Sequence, residues 1–545
     1  MTRLRTPWPA LVALLATLLA TALAVTALGV PARAADPDPD PAPSAEELAE
    51  HALETVQDLV EAPVEAADPA SGEVEGKNLT LALRDLAVTR SDLPDSKRAT
   101  AARLLARPTD SASECLDEDL ACFGSHTVRR KCNTVVCVHW VTRGTNAIPT
   151  ENDGAGGAFP GVRGGTPDYV EFTLDTMRNV ANTYVRAGYK KPIGDGGADG
   201  SSLPDIYLGN IGGAGAYGYC TTDEDVTGHV PAPAYCVLDN NYAEFGILPR
   251  SALRVTAAHE FFHAVQFAYD VNEDGWIMEA TASWVEDELY DGINDNRAYL
   301  PFGPLGKPSQ ALDAFTQLEP YGTWIFFRYL GERYPSTVAG LPTIVRDIWR
   351  RLDDGGTGDA NVYSLQGLVD ELAAKGTNIS TQLATFGMWN RRPLLYDEGR
   401  AYRAAPLRRT YTMTSSSRTQ SIGFGLTHLG TGTYRFTRGS GLVSSKITFG
   451  LNLNTLSVGA AAVVTVKRRD QGAVSRLVPL SSDGNASISY AFGSTTEWIE
   501  VTVANGDTRY NCGDMADDQQ SYLYTCQGTP QQGSSSQAIS VKVTG

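Results

Sequence analysis

The chain predicts a mixed α+β fold of two lobes that ends in an all-β sandwich. Three observations carry this. Short β-rich stretches precede residue 250, apolar segments of helical spacing run from there to about residue 390, and past residue 400 the texture changes to short alternating strands with Gly and Asn turns. A length of 545 residues leaves room for about two to four domains. The boundaries read as 1–34 for an export signal, 35–110 for a helical N-terminal segment or pro-region, 111–250 for an upper α+β lobe, 251–400 for a lower helical lobe and 401–545 for the sandwich.

Taken in order, Arg3 and Arg5 precede an apolar run from Ala10 to Val30, and Ala32-Arg33-Ala34 offers a small-residue cleavage site. The expectation is a cleaved signal peptide, a secreted extracellular protein and no stable membrane insertion after cleavage. Asp and Pro alternate from Ala35 to Pro43 as a spacer. Ser44-Ala-Glu-Glu-Leu opens a helix with a capping residue and an acidic first turn, and Ser91 to Arg107 reads as more helix. Up to about Thr109 the segment fits a pro-region and an ordinary helical subdomain equally.

Thr127 to Val141 alternates and reads as a strand, Asp168 to Tyr189 has helical spacing, and Asp205-Ile-Tyr-Leu-Gly is a short strand. Tyr235-Cys-Val-Leu-Asp239 is a further strand, and it reads equally as an edge that serves as the rail along which an extended peptide pairs or as an interior strand with both edges occupied. Helices are expected at Thr343–Leu352 and Ser364–Leu372. In the last domain Thr433-Tyr-Arg-Phe-Thr, Ala461 to Lys467 and Glu497 to Val503 are strands of a sandwich. Trp498 reads as a core aromatic of that sandwich, with a ligand platform as the alternative, and the sequence does not disclose the domain's binding partner.

The chemistry concentrates in Val255-Thr-Ala-Ala-His259-Glu260-Phe-Phe-His263-Ala-Val-Gln266, which lies in a stretch without Gly or Pro between Ser251 and Tyr269. On a helix, positions i and i+4 share a face, so His259 and His263 can offer imidazole nitrogens to one metal ion. Glu260 is turned by about 100° and sits beside that ion, the place of a general base acting on an activated water. The flanking Phe and Ala residues bury the imidazoles, and a buried imidazole needs a partner.

A catalytic zinc takes three protein ligands and keeps one position open. Asp270-Val-Asn-Glu-Asp-Gly275 can reverse the chain, and Trp276 to Leu289 then forms a second helix that points Glu279 back at the pair. A His-Glu-x-x-His-x-x-Gly-x-x-His site would need Gly at 266 and His at 269, where the chain has Gln266 and Tyr269. Glu286, two turns beyond Glu279, is placed to accept a histidine N–H. Asp287 and Glu288 are expected to face solvent. The predicted metal site is therefore His259, His263 and Glu279 around one Zn2+.

These residues carry a family resemblance. HEFFHAVQ followed by WIMEATASWVE resembles the gluzincin zinc metallopeptidases, and Cys115 to Asn390 is similar to a group of secreted bacterial putative metalloproteases with the same two segments. The resemblance implies a zincin-like two-lobed domain and a zinc-dependent peptidase that hydrolyses proteins or peptides, with Glu260 as base and His259, His263 and Glu279 as ligands. It also implies that Tyr321, in Glu319-Pro-Tyr-Gly, donates to the oxyanion. His139 and His229 are alternative donors. The linker to Glu279 is short for the family and the Gly-x-Met-Glu-Asn motif of its aminopeptidases does not occur, which favours an endopeptidase. The competing expectation is a non-enzymatic surface- or carbohydrate-binding protein with a structural zinc. Structural sites are normally closed by a fourth Cys or His, and none lies near Glu279.

A net charge of −18 argues against nucleic acid and anionic membrane as partners. Eight cysteines without zinc-ribbon spacing read as up to four disulfides after export. Cys220–Cys236 and Cys512–Cys526 are the natural local pairs, each stabilising by about 3 kcal/mol. Cys115, Cys122, Cys132 and Cys137 pair among themselves in one of three ways. Asp270-x-Asn272-x-Asp274-Gly275 resembles the opening of a calcium loop, but its twelfth position is Thr281, so it reads as a turn and no Ca2+ is claimed.

Overall fold

The structure is a computed structural model that describes residues 43–61, 79–111, 115, 120–149, 162–163, 165–212, 215–316, 318–353, 355, 361–443, 445–512, 524–532 and 534–545. The export signal and the Asp/Pro spacer lie outside the described residues. No described helix is long and apolar enough to cross a membrane.

Helix Ala45–Glu61 starts with a reciprocal cap: the Glu47 N–H donates to Ser44 Oγ (3.3 Å) and the Glu47 carboxylate accepts from the Ser44 N–H (2.7 Å). Its apolar stripe of Ala49, Ala52, Leu53 and Val56 packs on a second helix, Leu79–Thr89, which is buried along most of its length. The stretch Ser91–Arg107 holds a shorter helix than expected, Asp95–Leu104, because Pro94 lies at its start. At its end Arg107 is buried and bound to three aspartates. It donates to Asp195 (3.0 Å), Asp205 (3.0 Å) and Asp223 (2.8 Å), over the Tyr235 ring.

The first sheet runs Arg129–Cys132, Cys137–Trp140, Asp205–Gly209, Tyr235–Asp239, Gly218–Thr221. Its centre is parallel and its outer pairs antiparallel. One expectation is corrected here and one pair of alternatives is decided. Thr127–Val141 is a hairpin rather than one strand, since the Asn133 side chain accepts from the N–H groups of Val135 (2.8 Å) and Val136 (3.0 Å) and turns the chain. Tyr235–Asp239 is an interior strand, because Gly218–Thr221 pairs along its outer side and is cross-linked to it by Cys220–Cys236. Gly218–Thr221 is the edge.

Two helices lie against this sheet and each other: Pro249–Phe267, with the histidine motif, and Gly275–Tyr290, with Glu279. Both are buried nearly all round, which explains why neither shows a clean amphipathic stripe in sequence. Further helices, among them Trp324–Arg333, Thr343–Arg351, Ser364–Ala374 and Ile379–Asn390, complete this half. Arg328 reaches Asp287 (3.1 Å) and Glu288 (3.4 Å). Asp287 is therefore buried and Glu288 half-buried, and neither faces open solvent as expected.

The C-terminal region is two sheets sharing one core. One sheet is Arg409–Met413, Thr431–Arg438, Thr496–Asn505, Ala460–Arg468, Val474–Leu477; the other is Thr419–Thr427, Ser534–Thr544, Lys446–Asn452, Asn485–Ala491. Phe436, Ile499 and Val501 of the first meet Ile447, Phe449 and Val541 of the second. Helix Ile379–Asn390 covers the outer face of the first sheet. That double cover makes Ala460–Val466 a continuous buried run, whereas Lys446–Asn452 alternates. Trp498 is half-exposed rather than core, with the Arg435 guanidinium 4.8 Å over its ring.

The two halves join through buried carboxylates. Asp313 accepts from His428 Nε2, the Tyr510 hydroxyl and Thr525, and Asp274, which opens the Glu279 helix, accepts from the Cys526 N–H (2.8 Å) and the Ser364 hydroxyl. Asp270 is held by His229 Nδ1 (2.7 Å) and the Asn272 N–H. The calcium-like loop is thus committed to protein donors. The pairs are Cys115–Cys122, Cys132–Cys137, Cys220–Cys236 and Cys512–Cys526. Burial pushes the Asp274 carboxyl up to about 7, against the pull of Ser364 and Cys526. A raised acid stabilises the fold below its unfolded pKa and loses that contribution as pH rises through its folded one. Thermal unfolding should therefore show lower stability at pH 8 than at pH 6, and Asp274→Asn should flatten that slope.

Candidate metal centre and its cleft

The helical spacing of the motif and the reversal at Asp270–Asp274 bring the two helices together so that one ligand atom from each of His259, His263 and Glu279 lies within 4.8 Å of the others. His263 and Glu279 are fully buried and His259 nearly so. Glu279 Oε2 is 3.1 Å from His259 Nε2 and 3.7 Å from His263 Nε2.

The outer nitrogens show which tautomer each ring holds. His259 Nδ1 donates to Glu286 Oε1 at 2.6 Å. Gln266 Nε2 donates to the Met278 carbonyl (2.9 Å) and Thr281 Oγ1 (3.1 Å), so its Oε1 is turned toward His263 and accepts from Nδ1 at 2.7 Å. Both imidazoles thus spend Nδ1 on an orienting acceptor and aim Nε2 inward. His263 Nε2 and Glu279 Oε1 are buried with no hydrogen-bond partner. Orphaned acceptors on soft and hard donors at this spacing fit a divalent cation of the zinc type, held by His259 Nε2, His263 Nε2 and the Glu279 carboxylate. Burial opposes the His259 charge, but the bonds to Glu279 and Glu286 raise the ring to about 10. Burial would raise Glu279, and His263 and His259 together hold it down at about 2.

Glu260 lies beside the trio, buried, on the wall of a cleft of about 40 Å³ that is also lined by Tyr217, Gly218, Asp295, Tyr299 and Tyr321. Burial raises its carboxyl, against the pull of His259, His263 and the Thr80 hydroxyl. Gly218 is an edge-strand residue whose missing Cβ matters: one placed there would stand 2.8 Å from Glu260 Cγ and 2.8 Å from Thr256 Cγ2. Tyr321, in the short helix Glu319–Gly322, stacks on His259 with ring centres 6.0 Å apart. Burial, then the charges of Glu279 and Glu260, push its phenol well above the ordinary range.

Other candidates stay outside this constellation. His139 pairs with Asp205 at 2.7 Å in the sheet and His229 with Asp270, and neither lines the cleft. Asp287, Asp291 and Glu398 also approach one another at ligand spacing, but Arg328 pairs with Asp287 and Arg297 with Glu398, so their charge is already matched. Besides the cleft-wall residues Tyr217, Gly218, Asp295 and Tyr299, sequence reasoning missed two side chains that hold the site's own groups, Gln266 and Thr80. Gln266 sits one turn beyond His263, a spacing that could have marked it. Thr80 lies 180 positions upstream of Glu260, and nothing in the sequence ties the two.

No protein-family model matches the chain, and no curated protein does. Solved structures align with the C-terminal β-rich region. The pre-peptidase C-terminal domain of a collagenase from Bacillus anthracis aligns at 13% identity over 26% of this chain and 97% of that one, with a TM-score of 0.15. PliG of Aeromonas hydrophila, a periplasmic inhibitor of g-type lysozyme, aligns at 11% identity over 25% and 98%, with a TM-score of 0.14.

Proposed function

We propose that the chain is an exported zinc-dependent metallopeptidase of the gluzincin type, acting on proteins or peptides as an endopeptidase. The observation that carries this reading is the inward pair of Nε2 atoms with Glu279 between them, next to a buried glutamate on an open cleft. A bound zinc would acidify the attacking water and polarise the scissile carbonyl. Glu260 accepts the water's proton on its carboxylate and returns it to the leaving amine, a task suited to a carboxyl whose affinity for protons burial has raised. Tyr321 keeps its proton at any working pH and donates to the developing oxyanion. Glu286 and Gln266 hold the two imidazoles in the tautomer that ligation needs.

The test is zinc content and casein hydrolysis of the purified chain beside Glu260→Gln. The expected result is one zinc per chain in both and hydrolysis lower by about 10²-fold or more in the variant. A wild type that binds zinc and cuts nothing would remove the enzymatic reading and leave a binding protein with a structural metal. Gly218→Ala should act on the same step from the other wall. By displacing the Glu260 side chain it should lower kcat by about 10²-fold at unchanged zinc content, as read by steady-state kinetics with metal analysis.

A further inference from the structure

Helix Leu79–Thr89 meets the candidate site at two points one turn apart. In its first turn Thr80, only 2% exposed, donates its hydroxyl to Glu260 Oε2 at 2.9 Å. The Thr80 oxygen accepts the Cys220 backbone N–H at 3.0 Å, and Cys220 belongs to the edge strand that walls the cleft. A backbone N–H can only donate, so the Thr80 oxygen is the acceptor there, and its one hydrogen is left for the glutamate. One turn on, Arg84 donates to the carbonyls of Val271 (3.0 Å) and Glu273 (2.8 Å), in the loop between the histidine helix and the Glu279 helix. Thr80 and Arg84 stand at i and i+4 and share a face. That face spans the base, the edge strand and the turn that sets the third ligand.

We infer that Thr80 is a positioning residue for Glu260, fixing one carboxylate oxygen so that the other faces the cleft, and that helix Leu79–Thr89 belongs to the working site rather than to a removable pro-region. This rests on the reading of Glu260 as the base. The Thr80 bond holds the carboxylate without taking part in proton transfer, since its own hydrogen is committed to Oε2. Removing the hydroxyl while keeping the shape leaves Glu260 Oε2 and the Cys220 N–H without their shared partner, and the carboxylate turns away from its working orientation.

The experiment compares the zinc-loaded wild type with Thr80→Val, which keeps the volume, and Thr80→Ser, which keeps the hydroxyl. It measures kcat and KM on a casein-derived fluorogenic peptide, zinc per chain, thermal midpoint and the N-terminal sequence of the active species. Thr80→Val should lower kcat by about tenfold or more, with KM and zinc unchanged, and Thr80→Ser should restore it. The active species should retain residue 80. Should Thr80→Val not fold, Thr80→Ala takes its place. Wild-type kcat in the hydroxyl-free variant overturns the inference, as do equal losses in Thr80→Val and Thr80→Ser, or a fully active chain that begins after Thr109. Those results leave the metallopeptidase reading standing. A zinc-bound wild type without hydrolysis removes both.

Discussion

Replacing Glu279 by alanine is expected to abolish stoichiometric zinc binding. The reason is geometric as well as electrostatic. Glu279 Oε2 faces both inward nitrogens, and its carboxylate is the only negative charge among the three ligands. With it gone, two buried imidazoles would have to hold a dication alone, without charge compensation. Competition with a chromophoric chelator should show affinity reduced by more than about 10²-fold, beyond the 10- to 100-fold that losing an orienting partner produces. Glu286→Gln supplies that milder comparison, because it touches only the outer nitrogen of His259. An alanine variant that still carried one zinc per chain would mean that the ligand set is wrong.

Arg107→Met is expected to give the largest loss of stability. One guanidinium serves Asp195, Asp205 and Asp223, and the first two are almost completely buried. Removing the cation leaves carboxylates in the interior without their partner, a change of about 3–5 kcal/mol in comparable buried ion pairs. The pH dependence has a definite sign. Burial already raises Asp205, and loss of Arg107 raises it further. An acid raised in the folded state contributes stability at low pH and loses it as pH rises. The deficit of the variant relative to wild type, measured by urea unfolding, should therefore be greatest at neutral pH and narrow toward pH 4. A constant deficit across that range would assign the role of Arg107 to packing over Tyr235.

The parts legible in the sequence were those with local signals. The spacing of His259 and His263, the reversal before Gly275 and the position of Glu279 all lie within one helical hairpin, and helix geometry alone places them. The cap at Ser44 and the β texture beyond residue 400 are local in the same way. What could not be read depends on distant packing. Helix Leu79–Thr89 gave no separate signal and yet reaches Glu260. The edge strand is Gly218–Thr221 rather than Tyr235–Asp239 because of pairing that alternation does not encode. Asp287 is buried because Arg328 of another helix meets it, and Trp498 is half-exposed with the Arg435 guanidinium over its ring.

The joint at Asp274 sets an order in time. Its partner, the Cys526 N–H, comes from close to the end of the chain, and so do the Tyr510 and Thr525 donors of Asp313. A chain synthesised from its N-terminus presents the histidine helix early. The Asp274 carboxylate at the start of the Glu279 helix then waits for its Cys526 donor until residue 526 has been made. A product truncated before residue 510 would keep His259, His263 and Glu279 but leave Asp274 to the Ser364 hydroxyl and Asp313 to His428, each short of a donor that the later segment supplies.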